Sequence, residues 1–288
     1  MATIHQVLEQ ATISLTQADQ GDARFDAQVL LSYILGTGRG FLYAYPEHEL
    51  TSEQEHQYQA LIERRSQGEP VAYLIGYKEF YGLDFLVDQR VLIPRPETEL
   101  LVEAALNACR RMLDAGRTPI VADIGTGSGA IPITLAVFEP RLPYLYASDI
   151  SGSALDVAFL NCQIHHVEDR IRLLHGDLLE PLPEAVDILT ANLPYVGTDE
   201  MQEIPLDVRA YEPHLALFSG PLGLDLMLRF FQELQHSQKL KEGAILFLEI
   251  GYSQHESLTS MLKEIWPQAT LTFTKDFAGW NRVLQVTL

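Results

Sequence analysis

Apolar residues recur at helical spacing through the first part of the chain. One set is Ile4, Val7, Leu8 and Ala11, a second is Phe25, Val29, Leu30 and Ile34, and a third is Tyr58, Leu61 and Ile62. Positions three and four apart share a helix face, so each set predicts one apolar stripe. Asp22 and Thr51-Ser52 carry the side-chain oxygens that open helices. The pattern predicts a small helical bundle over residues 1–75, without a cluster of side chains suited to catalysis. From 69 to 92 the pattern changes. Val71-Ala72-Tyr73-Leu74-Ile75-Gly76-Tyr77 and Phe80-Tyr81-Gly82-Leu83-Asp84-Phe85-Leu86-Val87 are aromatic and branched runs broken by glycines, which predicts a β-hairpin. That hairpin is expected to link two domains across 76–95. In Ile93-Pro94-Arg95-Pro96-Glu97-Thr98-Glu99, Pro96 suits a first helical position, and Glu97 and Glu99 complement the positive helix end. Leu101, Ala104, Ala105, Ala108 and Met112 then form one face.

Beyond 119 the period alternates between strand and helix. Strands are expected at 120–123, 145–149, 171–174, 188–191, 244–250, 270–274 and 282–287, the last two joined through Gly279 as an antiparallel hairpin. Strand–helix alternation predicts an α/β domain over 96–288, a parallel sheet with helices on both faces.

Three polar elements fall at successive strand ends. Asp123-Ile124-Gly125-Thr126-Gly127-Ser128-Gly129 leaves the first strand and enters a helix. Its glycines let backbone approach a ligand, with Gly127 at the closest point. The spacing is GxGxG, not the GxGxxG of dinucleotide sites. Asp149 ends the next strand, within the usual reach of a ribose diol; otherwise it caps a helix, a task Ser151 can also perform. His175-Gly176-Asp177-Leu178 ends the third, where Asp177 can accept an adenine amino group and Leu178 can pack on the ring, or where Asp177 is an ordinary turn residue. Ligands bind along that edge of a doubly wound sheet, so the three together point to an adenosine-bearing cofactor.

The strand-like run Val186-Asp187-Ile188-Leu189-Thr190-Ala191 ends in Asn192-Leu193-Pro194-Tyr195. Pro194 holds Leu193 extended, as in a plain strand-ending turn. Beside a cofactor loop the same turn suits a planar NH2 group. Asn192 Oδ1 accepts one N–H, the Leu193 carbonyl accepts the other, and Tyr195 lies against the flat face. Such a site presents a weak nitrogen nucleophile to a methyl donor.

Composition narrows the partners. Among 288 residues the net charge is −19, which weighs against a broad phosphate-binding surface and favours a protein or small-molecule substrate. Hydrophobic residues at 47% and charged residues at 20% fit a globular enzyme. No apolar run reaches membrane-spanning length, and the start lacks the order of a signal peptide. The two cysteines, Cys109 and Cys162, fit buried fillers in a reducing cytoplasm. No metal-ligand spacing occurs, and His165-His166 reads as a helix-end surface pair.

The chain resembles the PrmC/HemK family, the release factor glutamine methyltransferases. The segment from Asp123 to Ile131 is similar to the family's DxGTGSGxI, and 93–99 to its IPRPxTE. Tyr73-Leu74-Ile75-Gly76 with Phe80-Tyr81-Gly82 resembles its linker hairpin. Tyr211-Glu212-Pro213, Ser219-Gly220-Pro221-Leu222-Gly223-Leu224-Asp225, Glu249-Ile250-Gly251, and Asp276-Phe277-Ala278-Gly279 with Arg282 resemble its later landmarks. The resemblance covers about the whole chain. The donor loop is shared by many methyltransferases; IPRPETE and the Glu-Pro…Gly-Leu-Asp run discriminate further.

The resemblance implies a Rossmann-like class I S-adenosylmethionine-dependent methyltransferase sheet behind an N-terminal helical substrate-recognition domain. It also implies N5 methylation of the glutamine in the Gly-Gly-Gln loop of class 1 release factors, with S-adenosylhomocysteine as product. Gly125, Thr126, Gly127, Ser128, Gly129, Asp149, Asp177, Leu178 and Asn192 are then expected to hold the donor. Asn192, Leu193, Pro194 and Tyr195 would hold the glutamine and carry the catalysis. No membrane or direct nucleic-acid partner is expected.

One position departs from the family pattern. Leu193 stands where the family usually has proline, which makes the tetrapeptide resemble the Asn-Leu-Pro-Tyr of rRNA adenine dimethylases. An N6-adenine methyltransferase is therefore the second reading, opposed by the acidic charge. A non-catalytic nucleotide-binding adaptor is the third, opposed by the intact Asn-Leu-Pro-Tyr.

Overall fold

A computed structural model describes residues 2–18 and 21–288. Two compact units emerge: one reaches to Tyr77 and includes Ile204–Tyr211, and the other comprises Lys78–Glu203 and Glu212–Leu288.

The first unit is helical. α1 (Ile4–Gln17) opens on a capping box in which Thr3 Oγ1 accepts from the Gln6 N–H and Gln6 accepts from the Thr3 N–H. α2 (Ala23–Leu35) opens on Asp22, which accepts from the Phe25 N–H. After α3 (Arg39–Ala44), α4 (Ser52–Ser66) repeats the capping box with Thr51 and Gln54. The core gathers Ile4, Val7, Ala11, Leu15, Leu30, Leu31, Tyr58 and Ile62. Phe25 does not join it: α2 buries Ala27, Leu30 and Leu31, while Phe25 is exposed beneath the Arg39 guanidinium, 4.5 Å from its ring centre.

Residues 71–76 are not part of the first strand of the hairpin. Val71–Ile75 forms α5, which starts after Pro70 and ends on left-handed Gly76. Tyr73 and Leu74 are buried, so helix-compatible burial overrides the β-like composition. Pairing begins with β1 (Tyr77–Phe80) and returns in β2 (Leu83–Leu86). Tyr81 and Gly82 between them both have positive φ, as a tight two-residue hairpin turn requires.

In the second unit, α6 (Thr98–Asp114) begins two residues after Pro96, not on it. The Thr98, Glu99 and Leu100 amides make three-residue turns back to Arg95, Pro96 and Glu97 before the helix settles. Glu99 acts as more than a dipole partner, since its Oε1 accepts from the Tyr81 N–H at 2.9 Å. The chain continues through β3 (Val121–Ile124), α7 (Ala130–Phe138), β4 (Leu145–Asp149), α8 (Gly152–Ile164), β5 (Ile171–His175) and β6 (Val186–Ala191). It passes through α9 (Leu206–Tyr211), which belongs to the helical unit, and ends with α10 (Asp225–His236), β7 (Leu240–Glu249), α11 (His255–Ile265), β8 (Thr270–Lys275) and β9 (Asn281–Thr287).

The strands form a seven-stranded sheet in the order β5-β4-β3-β6-β7-β9-β8. Every pairing is parallel up to β7, and β9 then runs antiparallel to both β7 and β8. Alternate residues feed opposite faces. Val121 and Ile188 pack with α6, α7 and α8, whereas Ala122, Ile124 and Leu189 pack with Met227, Phe230, Leu258 and Leu262 of α10 and α11. Cys109 and Cys162 are buried in the first of these cores as free thiols.

The placement of α9 carried no periodic signal in the sequence. Within the helical unit, buried Arg65 meets Asp26 at 2.8 Å and Asp207 at 3.7 Å, and the Tyr211 hydroxyl donates to the Gln67 carbonyl. No helix among the described residues is long and apolar enough to cross a membrane.

Candidate active site

Strand order reverses between β3 and β6, because the chain moves from β3 outward to β5 and then returns to β6 on β3's other side. That reversal opens a crevice at the carboxyl ends of the two strands. Ile124 pairs with Ala191 in register, so Gly125 and Asn192 leave the sheet side by side. The glycine loop and the Asn-Leu-Pro-Tyr turn, 67 positions apart in sequence by the matching Asp123–Thr190 pair, therefore face one space.

The loop is fastened from beneath. The Gly125 and Thr126 amides both donate to the Ser148 carbonyl at 2.9 Å. The Gly127 N–H donates to Asp149 Oδ2 at 2.8 Å, and Asp149 Oδ1 accepts from Ser151. Ser151 itself caps α8 by accepting from Ala154, which leaves Asp149 to brace the loop. Asn161, fully buried on α8, donates to the Ser128 carbonyl and pairs with both backbone groups of Leu86. At Gly129, φ is 80° and an added Cβ would stand 2.8 Å from Ile133 Cδ1, so the loop enters α7 only through glycine.

A cavity of about 280 Å³ lies over this loop. Its walls are Gly125–Ser128, Asp149–Ser151, Gly176–Leu178, the Asn192-Leu193-Pro194 turn, and Pro94, Arg95 and Thr98 from the segment before α6. Pro213, Leu215 and Arg229 close the remaining side. The Arg95 wall is held by Glu212, a buried carboxylate that accepts from the Ile93 N–H at 3.1 Å and the Arg95 guanidinium at 2.5 Å.

The cavity suits S-adenosylmethionine on its own features. The Thr126 hydroxyl and the Asp123 carboxyl are buried beside each other, and neither Thr126 Oγ1 nor Asp123 Oδ2 has a partner elsewhere among the described residues. Burial pushes the Asp123 carboxyl up to about 7, against the lowering effect of the Thr190 hydroxyl at 2.7 Å and of the Thr126 hydroxyl. A cationic donor nearby would draw that carboxyl back toward its ionised form. An added Cβ at Gly127 meets no protein atom within 4 Å, so it would project into the space a ligand needs. Across the cavity, Asp177 is paired with Arg229, and Leu178, in the left-handed region, is almost buried.

The acceptor turn has its own supports. Asn192 Nδ2 donates to Thr98 Oγ1 at 3.3 Å, and with the NH2 so committed, Oδ1 is the amide atom left for a ligand. Thr98 donates to Glu249 Oε2 at 2.5 Å, and the Tyr195 hydroxyl donates to Glu249 Oε1 at 3.0 Å. Glu249 is buried at the end of β7; burial raises its pKa, and the two hydroxyls pull it back. The Tyr195 carbonyl accepts from Gln254 Nε2 at 2.9 Å, and an added Cβ at Gly223 would stand 2.0 Å from that same carbonyl. Leu193 is 3% exposed, with Cδ2 against the Gly125 position.

The structure thus brings Gly125, Thr126, Gly127, Ser128, Asp149, Asp177, Leu178, Asn192, Leu193 and Pro194 to one cavity. Gly129 supports it from the start of α7, and Tyr195 stands behind the turn with its hydroxyl on Glu249. Sequence reasoning passed over Thr98, Asn161, Glu249 and Gln254 as individual site residues. Thr98 and Glu249 lay inside landmarks that carried the resemblance, and a buried polar residue at a strand end was the available signal. His165 and His166 stand at the end of α8 as the sequence predicts, with His165 Nε2 2.9 Å from the Asp84 carbonyl and its ring on Phe85. Among the described residues no group of His, Cys, Asp or Glu is placed to hold a metal ion.

Residues 6–76 match the family model of the PrmC N-terminal domain, and 98–205 match the methyltransferase small domain. A release factor glutamine methyltransferase of Koribacter versatilis is 38% identical over 98% of this chain and 97% of its own. One from Moorella thermoacetica is 39% identical over 97% and 96%. Among solved structures, the hMettl16 catalytic domain in complex with a 3'UTR hairpin aligns with a TM-score of 0.56 at 15% identity, covering 89% of this chain and 90% of that one. A methyltransferase from Pyrococcus furiosus aligns at 0.50 and 18% identity over 80% and 96%. These two likenesses concern the fold alone. Full-length identity to relatives of one kind, on a methyltransferase sheet with a glycine loop beside Asn-Leu-Pro-Tyr, establishes that the chain belongs to the release factor glutamine methyltransferase family.

Proposed function

We propose that the protein transfers a methyl group from S-adenosylmethionine to the N5 side-chain nitrogen of the glutamine in the Gly-Gly-Gln loop of class 1 release factors, in the cytoplasm. The observation that carries this reading is the adjacency of Gly125 and Asn192 at the sheet's switch point. Bound there, the donor supplies a sulfonium methyl for in-line displacement. The chain's part is to position and shield. Asn192 Oδ1 and the Leu193 carbonyl take the two N–H groups of the target amide, which raises electron density on a nitrogen whose lone pair is otherwise delocalised. Pro194 keeps the Leu193 carbonyl extended, and the cavity walls exclude water. The donor would leave as the neutral thioether when its methyl–sulfur bond breaks, and the surplus N–H proton, facing Asn192 Oδ1 or the Leu193 carbonyl, would pass to solvent as the product leaves.

In this reading residues 1–75 recognise the release factor, 76–95 link, and 96–288 bind donor and carry the chemistry. Excursion of Ile204–Tyr211 to the helical unit adds a second stretch to recognition. The test is incubation with labelled donor and purified release factor. Labelling is expected on the wild-type factor and absent when its Gly-Gly-Gln glutamine is replaced; a short peptide of the loop should react poorly. Label that persists on the substituted factor, or appears on rRNA instead, would overturn the assignment in favour of the adenine reading.

Two variants bear on the site. Asp149→Ala removes the acceptor for the Gly127 and Ser151 amides together with the proposed ribose contact. Calorimetry should show donor affinity weaker by roughly 1.5–3 kcal/mol, the range for hydrogen bonds to a charged group. Leu193→Pro keeps the main-chain carbonyl and should retain substantial transfer. Because the leucine side chain is buried against Gly125, thermal unfolding should show lower stability by about 1–3 kcal/mol. A variant that binds both substrates yet transfers no methyl would refute the carbonyl's role.

A further inference from the structure

We propose that Thr98 and Glu249 are positioning residues that set which atom of the Asn192 amide faces the substrate, through the relay Asn192 Nδ2 to Thr98 Oγ1 to Glu249 Oε2. The proposal rests on the reading of Asn192 as the glutamine's acceptor.

An asparagine amide has nearly the same shape either way round, so packing alone does not choose between its oxygen and its NH2. Only a neighbour of fixed polarity makes the choice. A threonine hydroxyl has one proton and can present either that proton or a lone pair. Glu249 Oε2 accepts the Thr98 proton at 2.5 Å while Oε1 accepts from the Tyr195 hydroxyl, so the single Thr98 proton is spent on Glu249. Thr98 is then left with lone pairs toward Asn192, which must answer with its NH2. Oδ1 is thereby turned to the other side, where the target N–H arrives. The second carboxylate oxygen takes the Tyr195 hydroxyl, so one group sets the polarity on both sides of Leu193-Pro194.

The placement argues against Glu249 being mere filling. It is 1% exposed at the end of β7, facing Val283 of β9 in register, and hydrocarbon there would avoid the desolvation of a carboxylate. Its two hydroxyl partners come from separate elements, α6 and the acceptor turn, 151 and 54 positions away in sequence. Thr98 is itself buried and lines the cavity, so the relay reaches the ligand space.

Thr98→Val keeps the shape and removes both the lone pairs and the proton. Turnover should fall roughly 10- to 100-fold, as when an outer partner that orients a reacting group is removed. KM for release factor and calorimetric donor affinity should change less than turnover does, which separates orientation of the Asn192 amide from a loss of cavity lining. Thr98→Ser, which keeps the hydroxyl, should restore turnover to within about threefold of wild type. The decisive measurement is the double variant. In an Asn192→Ala background, Thr98→Val should have no further effect, because its route of action is gone.

A second readout avoids activity altogether. With 15N-asparagine labelling, the side-chain NH2 signal that disappears in Asn192→Ala belongs to Asn192. In Thr98→Val its hydrogen exchange should quicken by roughly tenfold or more as the hydrogen bond to Thr98 is lost. Glu249→Gln is the companion variant: one of its two hydroxyl partners must reverse, so turnover should fall while the folded protein still binds donor. Thr98→Val turnover within threefold of wild type, effects that multiply in the double variant, or unchanged exchange would each overturn the relay. Wild-type protein that leaves release factor unlabelled would instead overturn the proposed function, and the exchange measurement would still decide the relay.

Discussion

Asn192→Ala should lower methyl transfer by at least about 100-fold while donor affinity changes little, the scale of losing one preorganised contact to the reacting group. Three features lead to that expectation. Asn192 stands beside Gly125 through the Ile124–Ala191 register, its NH2 is bound to Thr98, and its Oδ1 is left for the target. Alanine removes the acceptor and frees the amide of the bound glutamine to rotate. In the proposed donor site most contacts would come from the cavity-lining Gly125–Ser128, Asp149 and Asp177, which the change leaves in place. Single-turnover labelling of release factor measures the first effect, and calorimetry the second. Asn192→Asp is the sharper probe. A carboxylate still accepts the target N–H but cannot donate to Thr98, so activity should fall between wild type and alanine. Wild-type turnover in Asn192→Ala would remove the residue from the chemistry.

Gly127→Val should abolish donor binding. The Gly127 N–H braces Asp149 at 2.8 Å, and its φ of 55° lies in the left-handed region. A β-branched residue there is strained by roughly 1–2 kcal/mol. The larger effect is steric. Gly127 lines the cavity and an added Cβ meets no protein atom within 4 Å, so valine methyl groups are expected to take up space the donor needs. Calorimetry should detect no binding heat, with circular dichroism reporting an intact fold. Gly127→Ala should bind weakly, between the two. Unchanged affinity in both Gly127→Val and Asp149→Ala would take the donor away from this cavity.

The sequence by itself determined much of the site, because its chemistry is local. Glycine spacing after a β run gives a ligand-approachable loop whatever the partners, and an Asn-x-Pro-Tyr turn offers two acceptors from adjacent positions. Seven strands were legible because their apolar runs were bounded by turns, although β7 starts at Leu240, earlier than the apolar run suggests. Periodicity reports which face of an element is buried, not what covers it. For that reason Phe25 shares the helical spacing of Val29, Leu30 and Ile34 yet stays exposed, and Val71–Ile75 has a strand-like composition where Pro70 and Gly76 bound a short helix.

Only the tertiary structure decided who meets whom. The Ile124–Ala191 register makes one crevice of two motifs. Glu212 reaches back 119 and 117 positions to hold Ile93 and Arg95, and Glu249 reaches back 151 to Thr98. Where Ile204–Tyr211 joins the helical unit, buried Arg65 is met by Asp26 and Asp207 from distant segments. In each case a buried polar group is stable only when the fold supplies its partner, and nothing adjacent in the chain names that partner.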